Sequence, residues 1–250
     1  MRSVCYLALS LGMCGAAVQA AEIRVLSPGV VFNAGLINLA SDFTRETGVK
    51  VFVLPDLMGR IMDDIRTRTP SPDVVVLPMD LMATLALENG IAADTFTPLG
   101  RVEVGLAVRA GTPHPDISTV AKLAAALRSA HEVVYSSPAS GMSMEAAIID
   151  QLLKRSEFAS VHGVPTFKGE GGQALSRGEG DMALQLVCEI LPYPEISLVG
   201  PLPPELGAHI DNAVAVSAKA VNSRDASRFI HYITSPQAAA VWKANGLGRY

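Results

Sequence analysis

Cysteine is scarce in this chain: three residues in 250, Cys5, Cys14 and Cys188. The first two lie in MRSVCYLALSLGMCGAAVQA, which has Arg2 as its only charge and an apolar run from Val4 to Ala17. It closes on Val18-Gln19-Ala20, with small residues at the −3 and −1 positions of a cleavage site, so 1–20 reads as a secretory signal peptide. Met13 is bulky where a lipoprotein box wants a small residue, which argues against lipidation at Cys14. Cleavage after residue 20 leaves Cys188 alone. The exported chain then has no internal disulfide, and its core must hold it together. Aromatics are only 5%, and there is no basic stripe. The net charge of −4 becomes −5 once Arg2 leaves. Nucleic-acid binding is thereby set aside. The signal run is too short to span a bilayer comfortably, and no other stretch could.

Catalytic signatures are lacking as well. There is no GxSxG elbow, no GKS or GKT phosphate loop and no HExxH. His114, His131, His162, His209 and His231 are dispersed, and no His/Cys/carboxylate cluster has metal-ligand spacing, so neither a metal nor a cofactor is expected. KGEGGQ (168–173) is glycine-rich but lacks the preceding strand and the spacing of a dinucleotide fingerprint.

What remains is a chain that is 49% hydrophobic and long enough for two lobes. The segment 21–29 reads as a strand ending in Ser-Pro-Gly. A helix over 32–49 follows, terminated by Gly48. Next come a strand at 50–55, a helix over 56–69 started by Asp56, and a strand at 72–78 that is apolar throughout, as in a parallel strand buried on both faces. A helix over 79–91 has Asp80 as its expected N-cap and Gly90 beyond its end. Three strand-to-helix units in succession argue for a parallel α/β lobe. After an irregular 92–99, an alternating strand opens the segment 101–118. A second series then runs helix 119–130, strand 132–137, helix 142–155, a strand-like VPTFKG, a short helix in EGGQALSRGEG, and an apolar strand at 181–190. A returning strand within 202–218 and two closing helices, 223–235 and 235–247, complete the chain. Ser235-Pro236 starts the last of these, and Trp242 in it is expected in the core.

Ligands of α/β sheets sit beyond the carboxyl ends of strands, where helix N-termini point free N–H donors outward. Four junctions carry suitable residues: Ser27 with Gly29; the turn Asp56-Leu57-Met58-Gly59-Arg60; the stretch from Ser136 to Ser143; and Gln185, a strand amide that must find partners if buried. The third is the richest. A helix cap needs one serine, whereas SSPASGMS (136–143) supplies Ser136, Ser137, Ser140, Gly141 and Ser143. Short neutral donors of this kind solvate an anion without a flexible counterion. The expected ligand set is Ser27, Gly29, Met58, Gly59, Arg60, Ser137, Ser140, Gly141, Ser143 and Gln185.

Taken in order, LASDFTRETGVKV (39–51), SPDVVVLPMDLM (71–82), GRVEVGLAVRAGTP (100–113), VVYSSPASG (133–141), ALSRGEGDMALQLVCEIL (174–191) and SPQAAAVWKANGL (235–247) resemble the class II periplasmic solute-binding proteins. The molybdate-binding-protein-like family is the nearest pattern within them. The resemblance implies an α/β, two-lobe periplasmic-binding-protein (type II) fold. Each lobe would hold a mixed, mostly parallel sheet, with a double crossover hinge and the ligand cleft between them. Lobe 1 is expected at 21–105 plus 205–250 and lobe 2 at 106–204. The Ser-containing turns and the tyrosine that hold tetrahedral molybdate in that family correspond here to GVVFNAG (29–35), PDLMGR (55–60) and Leu186. VLSPG (25–29), LMGR (57–60), ASGMSME (139–145) and LQLVCEILPYP (184–194) are instead similar to the aconitate-isomerase-like offshoot of the family, which implies a carboxylate ligand. Two readings follow. In the first, a monomeric periplasmic binding protein closes on a small anion and delivers it to the membrane permease of an ABC-type transporter. In the second, an isomerase interconverts trans- and cis-aconitate by a 1,3-proton shift, with Glu145 or Glu189 as base.

Overall fold

The computed structural model describes residues 22–68, 70–140 and 144–248. The expected signal peptide over 1–20, and Gly141 and Ser143 of the serine-rich turn, lie outside the described residues. Among the described residues, no helix is long and apolar enough to cross a membrane.

Strand β1 (Glu22–Ser27) turns at Pro28 into a helical stretch. This stretch runs through α1 (Gly29–Val31), a wide turn at Phe32–Leu36 and α2 (Ile37–Thr47). It bends at Gly35, whose φ of 113° is costly for any residue with a Cβ. Gly48 ends it in the left-handed conformation, as its position predicted. Strand β2 (Lys50–Pro55), α3 (Met58–Thr67), β3 (Val74–Pro78) and α4 (Met79–Leu87) follow. Two expected caps are corrected. Asp56 lies ahead of α3 and accepts from the Leu57 N–H, at 2.7 Å, while Leu57 takes the cap position with no side-chain bond. Pro78 stands at the start of α4, with Asp80 one step inside its first turn. At the far end of α4, Asn89 adopts the positive φ (58°). Gly90 instead donates its N–H to the Leu85 carbonyl.

Strand β4 (Thr97–Arg109) begins inside the interval expected to be irregular and is long enough to serve both halves of the molecule. Its first part pairs with β9 (His209–Val216), and residues 104–108 pair with β7 (Met182–Leu186). Between them the chain builds α5 (Val120–Ser129), β5 (Val133–Ser136), α6 (Met144–Leu153), β6 (Gly163–Thr166) and α7 (Gly171–Ser176). The short α8 (Val187–Ile190) follows β7, and β8 (Ile196–Pro201) precedes β9. The chain ends in α9 (Ser223–Ile233), α10 (Ala239–Ala244) and β10 (Leu247–Gly248). The sheet order is β2-β1-β3-β9-β4-β7-β5-β6, with β8 and β10 also on β4. Each half thus has a parallel trio, β2-β1-β3 or β6-β5-β7, joined to its neighbour through antiparallel long strands. The chain crosses between halves twice, along β4 and through 202–208. Two bonds tie the crossings together: Leu202 N–H to the Val104 carbonyl and Val104 N–H to the Ala208 carbonyl, both 2.9 Å. This is the two-lobe fold with a double crossover.

The single strand expected over 181–190 is also corrected. Its ladder ends at the pair Val104–Leu186, and the same edge of β4 is taken next by β10, which pairs Leu247 with Val102. With no partner strand left, the chain coils into α8. That turn buries Cys188 and Ile190 and turns Glu189 toward the cleft. Strand β8, which went unread, lies along the other side of the same part of β4.

The core matches expectation. Strand β3 is buried along its whole length. Trp242 is fully buried against α9 and donates its indole N–H to the Ile233 carbonyl at 2.7 Å.

Candidate functional site: a cleft with an acidic wall

The carboxyl ends of both parallel trios open into one cleft of about 740 Å³. Its first wall is Pro28, Gly29 and Val30 after β1, then Pro55 to Arg60 with Asp63 after β2. Helix α3 starts there without a side-chain cap, so its first-turn N–H groups are available as donors. Arg60 is the only cation among the described lining residues. The opposite wall carries Met144, Glu145, Glu170, Leu186 and Glu189, and Ile210 completes the lining.

The second wall is built around Gln185, which is fully buried. Its Oε1 accepts from the Gly171 backbone N–H and from the Ser136 hydroxyl, each at 3.1 Å. A backbone N–H can only donate, so the amide cannot be flipped, and its NH₂ must face the carboxyl groups. Nε2 lies 3.1 Å from Glu145 Oε1 and 3.4 Å from Glu170 Oε2, and also contacts Glu189 Oε2. Gly171 is a close-approach position: a Cβ there would lie 2.8 Å from Tyr135 Cα and 3.0 Å from the Leu184 carbonyl oxygen. Only glycine lets α7 sit near enough for its N–H to hold the glutamine.

Three glutamates so placed repel one another. Burial, followed by the charge of Glu170, raises the Glu145 carboxyl from 4.5 to about 7, against bonds from its own N–H, Ser136 and Gln185. Burial and then the charges of Glu145 and Glu170 push Glu189 well above the usual carboxylate range. Glu170 is raised by burial, while its hydrogen bond with Glu189 pulls the other way. Burial and the neighbouring glutamates also raise the Cys188 thiol, so this cysteine is not a reactive thiolate. Among the described residues no group of three or more His, Cys, Asp or Glu side chains has a metal-holding arrangement.

The structure brings Gly29, Met58, Gly59, Arg60 and Glu145 to the cleft lining. Gln185 lies directly behind it. Ser27 is fully buried and donates to the Pro28 carbonyl. Ser137 is buried, with its N–H on the Thr166 carbonyl at 3.0 Å. Ser140 closes a 3₁₀ turn, Pro138–Ser140. Ser136, passed over in the expected ligand set, turns inward, 3.2 Å from Glu145. Glu170 was missed altogether. Its signal was legible as a capping box: Glu170 and Gln173 at the ends of EGGQ bond each other's backbone at the start of α7.

This fold and this interlobe cleft define the type II class of two-lobed binding proteins. The chain belongs to the bacterial extracellular solute-binding protein family, whose model matches residues 23–248. It is 26% identical over 238 residues to an aconitate isomerase from a Pseudomonas species, covering 93% of this chain and 89% of that one. Its fold is similar to a substrate-binding domain assigned to a molybdenum ABC transporter of Clostridium difficile (TM-score 0.77, 15% identity, 92% of this chain and 100% of that one). It is also similar to the periplasmic molybdate-binding protein of Azotobacter vinelandii (TM-score 0.68, 16% identity, 90% and 98%).

Proposed function

We propose that this protein is a periplasmic solute-binding protein whose cleft takes a small anion bearing carboxylate groups, for delivery to an ABC-type permease. The family and the molybdate-binding relative support an anion; the unlike character of the two walls supports a carboxylate. Arg60 and the uncapped start of α3 offer donors to an anion. Glu145, facing them, titrates at about 7 and burial raises Glu189 well above the usual carboxylate range, and a carboxylic acid is a strong donor to a carboxylate of comparable basicity. A tetrahedral dianion such as molybdate or sulfate is a far weaker base than the wall's carboxyl groups and shares their protons less well than a carboxylate does. In a thermal-shift and calorimetric titration, trans-aconitate and citrate should stabilise the protein by about 2.7 kcal/mol at a hundredfold excess over Kd. Stabilisation by molybdate or sulfate with none from carboxylates would overturn this reading.

A second reading is favoured by one observation. Glu145 lines the cleft, is only 3% exposed and titrates at about 7, which suits a general base at neutral pH. The 26% identity to an aconitate isomerase points the same way. In this reading Glu145 removes a proton from the methylene carbon of bound trans-aconitate and returns it at the far end of the shifted double bond. Incubation with trans-aconitate and chromatographic detection of the cis isomer decides it: turnover lost in Glu145→Gln supports the isomerase, and binding without turnover rules it out.

A further inference from the structure

The Gln185 hub imposes a proton count. An amide NH₂ carries two hydrogens, yet three carboxyl groups reach Nε2. The Ser136 hydroxyl carries one hydrogen and lies between Glu145 Oε1 and Gln185 Oε1. Glu170 and Glu189 converge on the same Nε2, and two buried carboxylates crowded onto one donor repel unless one of them carries a proton. Glu170 is further tied down by the capping bond at the start of α7. One proton is therefore favoured on the Glu170–Glu189 pair, and Glu145, which lines the cleft against Ser136 and Gln185, is placed to change its charge with a bound anion. The other charged groups facing the cleft are Asp56, Arg60 and Asp63 across it. Cys188, beside Glu189, stays neutral.

We infer that binding of a carboxylate anion in this cleft is coupled to uptake of a proton by the Glu145–Glu170–Glu189 cluster, with Glu145 as the acceptor and Gln185 as its fixed hub. This rests on the carboxylate reading above. An anion entering the cleft adds negative charge beside Glu145 and raises its proton affinity further. By linkage, affinity must then fall as pH rises above the range in which the free protein binds that proton, by up to ~10-fold per pH unit for one proton. A carboxylate ligand gains a donor from this; a site of fixed dipoles would bind it with no pH dependence.

The test is calorimetric titration of the mature chain with trans-aconitate, fully ionised at about pH 7.5, in buffers of differing ionisation enthalpy. The slope of observed heat against buffer enthalpy reads the protons taken up. We expect uptake approaching one proton per ligand, and an affinity at about pH 8.5 several-fold below that at pH 7. Glu145→Gln should lose both the uptake and the pH dependence. Circular dichroism of Glu145→Gln is the control that the variant is folded. Binding with zero uptake overturns the coupling and leaves the carboxylate reading standing. Uptake unchanged in Glu145→Gln overturns the assignment to Glu145. No heat from trans-aconitate or citrate between about pH 5.5 and 8.5, with the protein folded, overturns both.

Discussion

Replacing Glu145 by Gln removes one ionisable group from the acidic wall and leaves a side chain of the same size that still accepts from Ser136 and Gln185. The parent carboxyl titrates at 4.5 when unfolded and about 7 when folded. The folded state therefore holds this proton more tightly than the unfolded state. The associated stability is complete below 4.5 and is lost as pH rises through 7. At about 1.4 kcal/mol per pKa unit, the group accounts for about 3 kcal/mol of stability lost between acid and mildly basic solution. The variant does not suffer this loss. At about pH 8 it should have gained about 3 kcal/mol on the parent relative to their difference at pH 4.5, roughly 6–12 °C in Tm for a domain of this size. Urea unfolding of both proteins at several pH values, without ligand, measures the gap directly. A gap that stays constant from acid to base would show that Glu145 titrates as an ordinary surface glutamate, and the account of the acidic wall would fail with it.

Gly171→Ala would force a Cβ into the Tyr135 Cα and the Leu184 carbonyl oxygen. It should cost about 1–3 kcal/mol by denaturant unfolding. It should also weaken carboxylate binding, since the N–H that orients Gln185 moves away; full stability and affinity would mean α7 is free to shift. Trp242→Ala empties the largest fully buried side chain and strips the Ile233 carbonyl of its indole donor. A loss of about 3–5 kcal/mol is expected by calorimetry, and a loss under 1 kcal/mol would place Trp242 outside the load of the core.

Much of the fold was legible because it rests on local patterns. The unbroken apolar run at β3, the helical period before Gly48 and the Ser235-Pro236 start each follow from side-chain chemistry within one turn or strand. Those that failed depend on distant partners. Whether residues 187–190 extend β7 is decided by where that edge of β4 passes to β10, at the pair Val102–Leu247, whose Leu247 lies about sixty residues further along the chain. The site divides in the same way. The strand-to-helix junctions pointed to Gly29 and to Met58 to Arg60, which line the cleft. The serine-rich turn drew attention to hydroxyls as ligands; among its described residues, Ser136 turns inward and holds a glutamate and a glutamine. Glu170 could not be placed beside Glu145 and Glu189 from spacing, because three separate elements converge on Gln185 only in the folded sheet.

The two walls make different demands on a solute. Arg60 and the uncapped start of α3 select for negative charge; Glu145, Glu170 and Glu189 oppose it unless protonated. A ligand made only of acceptors satisfies the first wall and is repelled by the second, at a cost that grows as the cleft loses water. A carboxylate with basicity near that of the buried glutamates lets one proton sit between ligand and protein, turning the repulsion into a hydrogen bond. The same proton, held on Glu145 beside an acidic methylene, is what a 1,3-shift would need to return. Binding and isomerisation thus require the same wall, and they differ in whether a C–H of the bound solute lies within reach of Glu145.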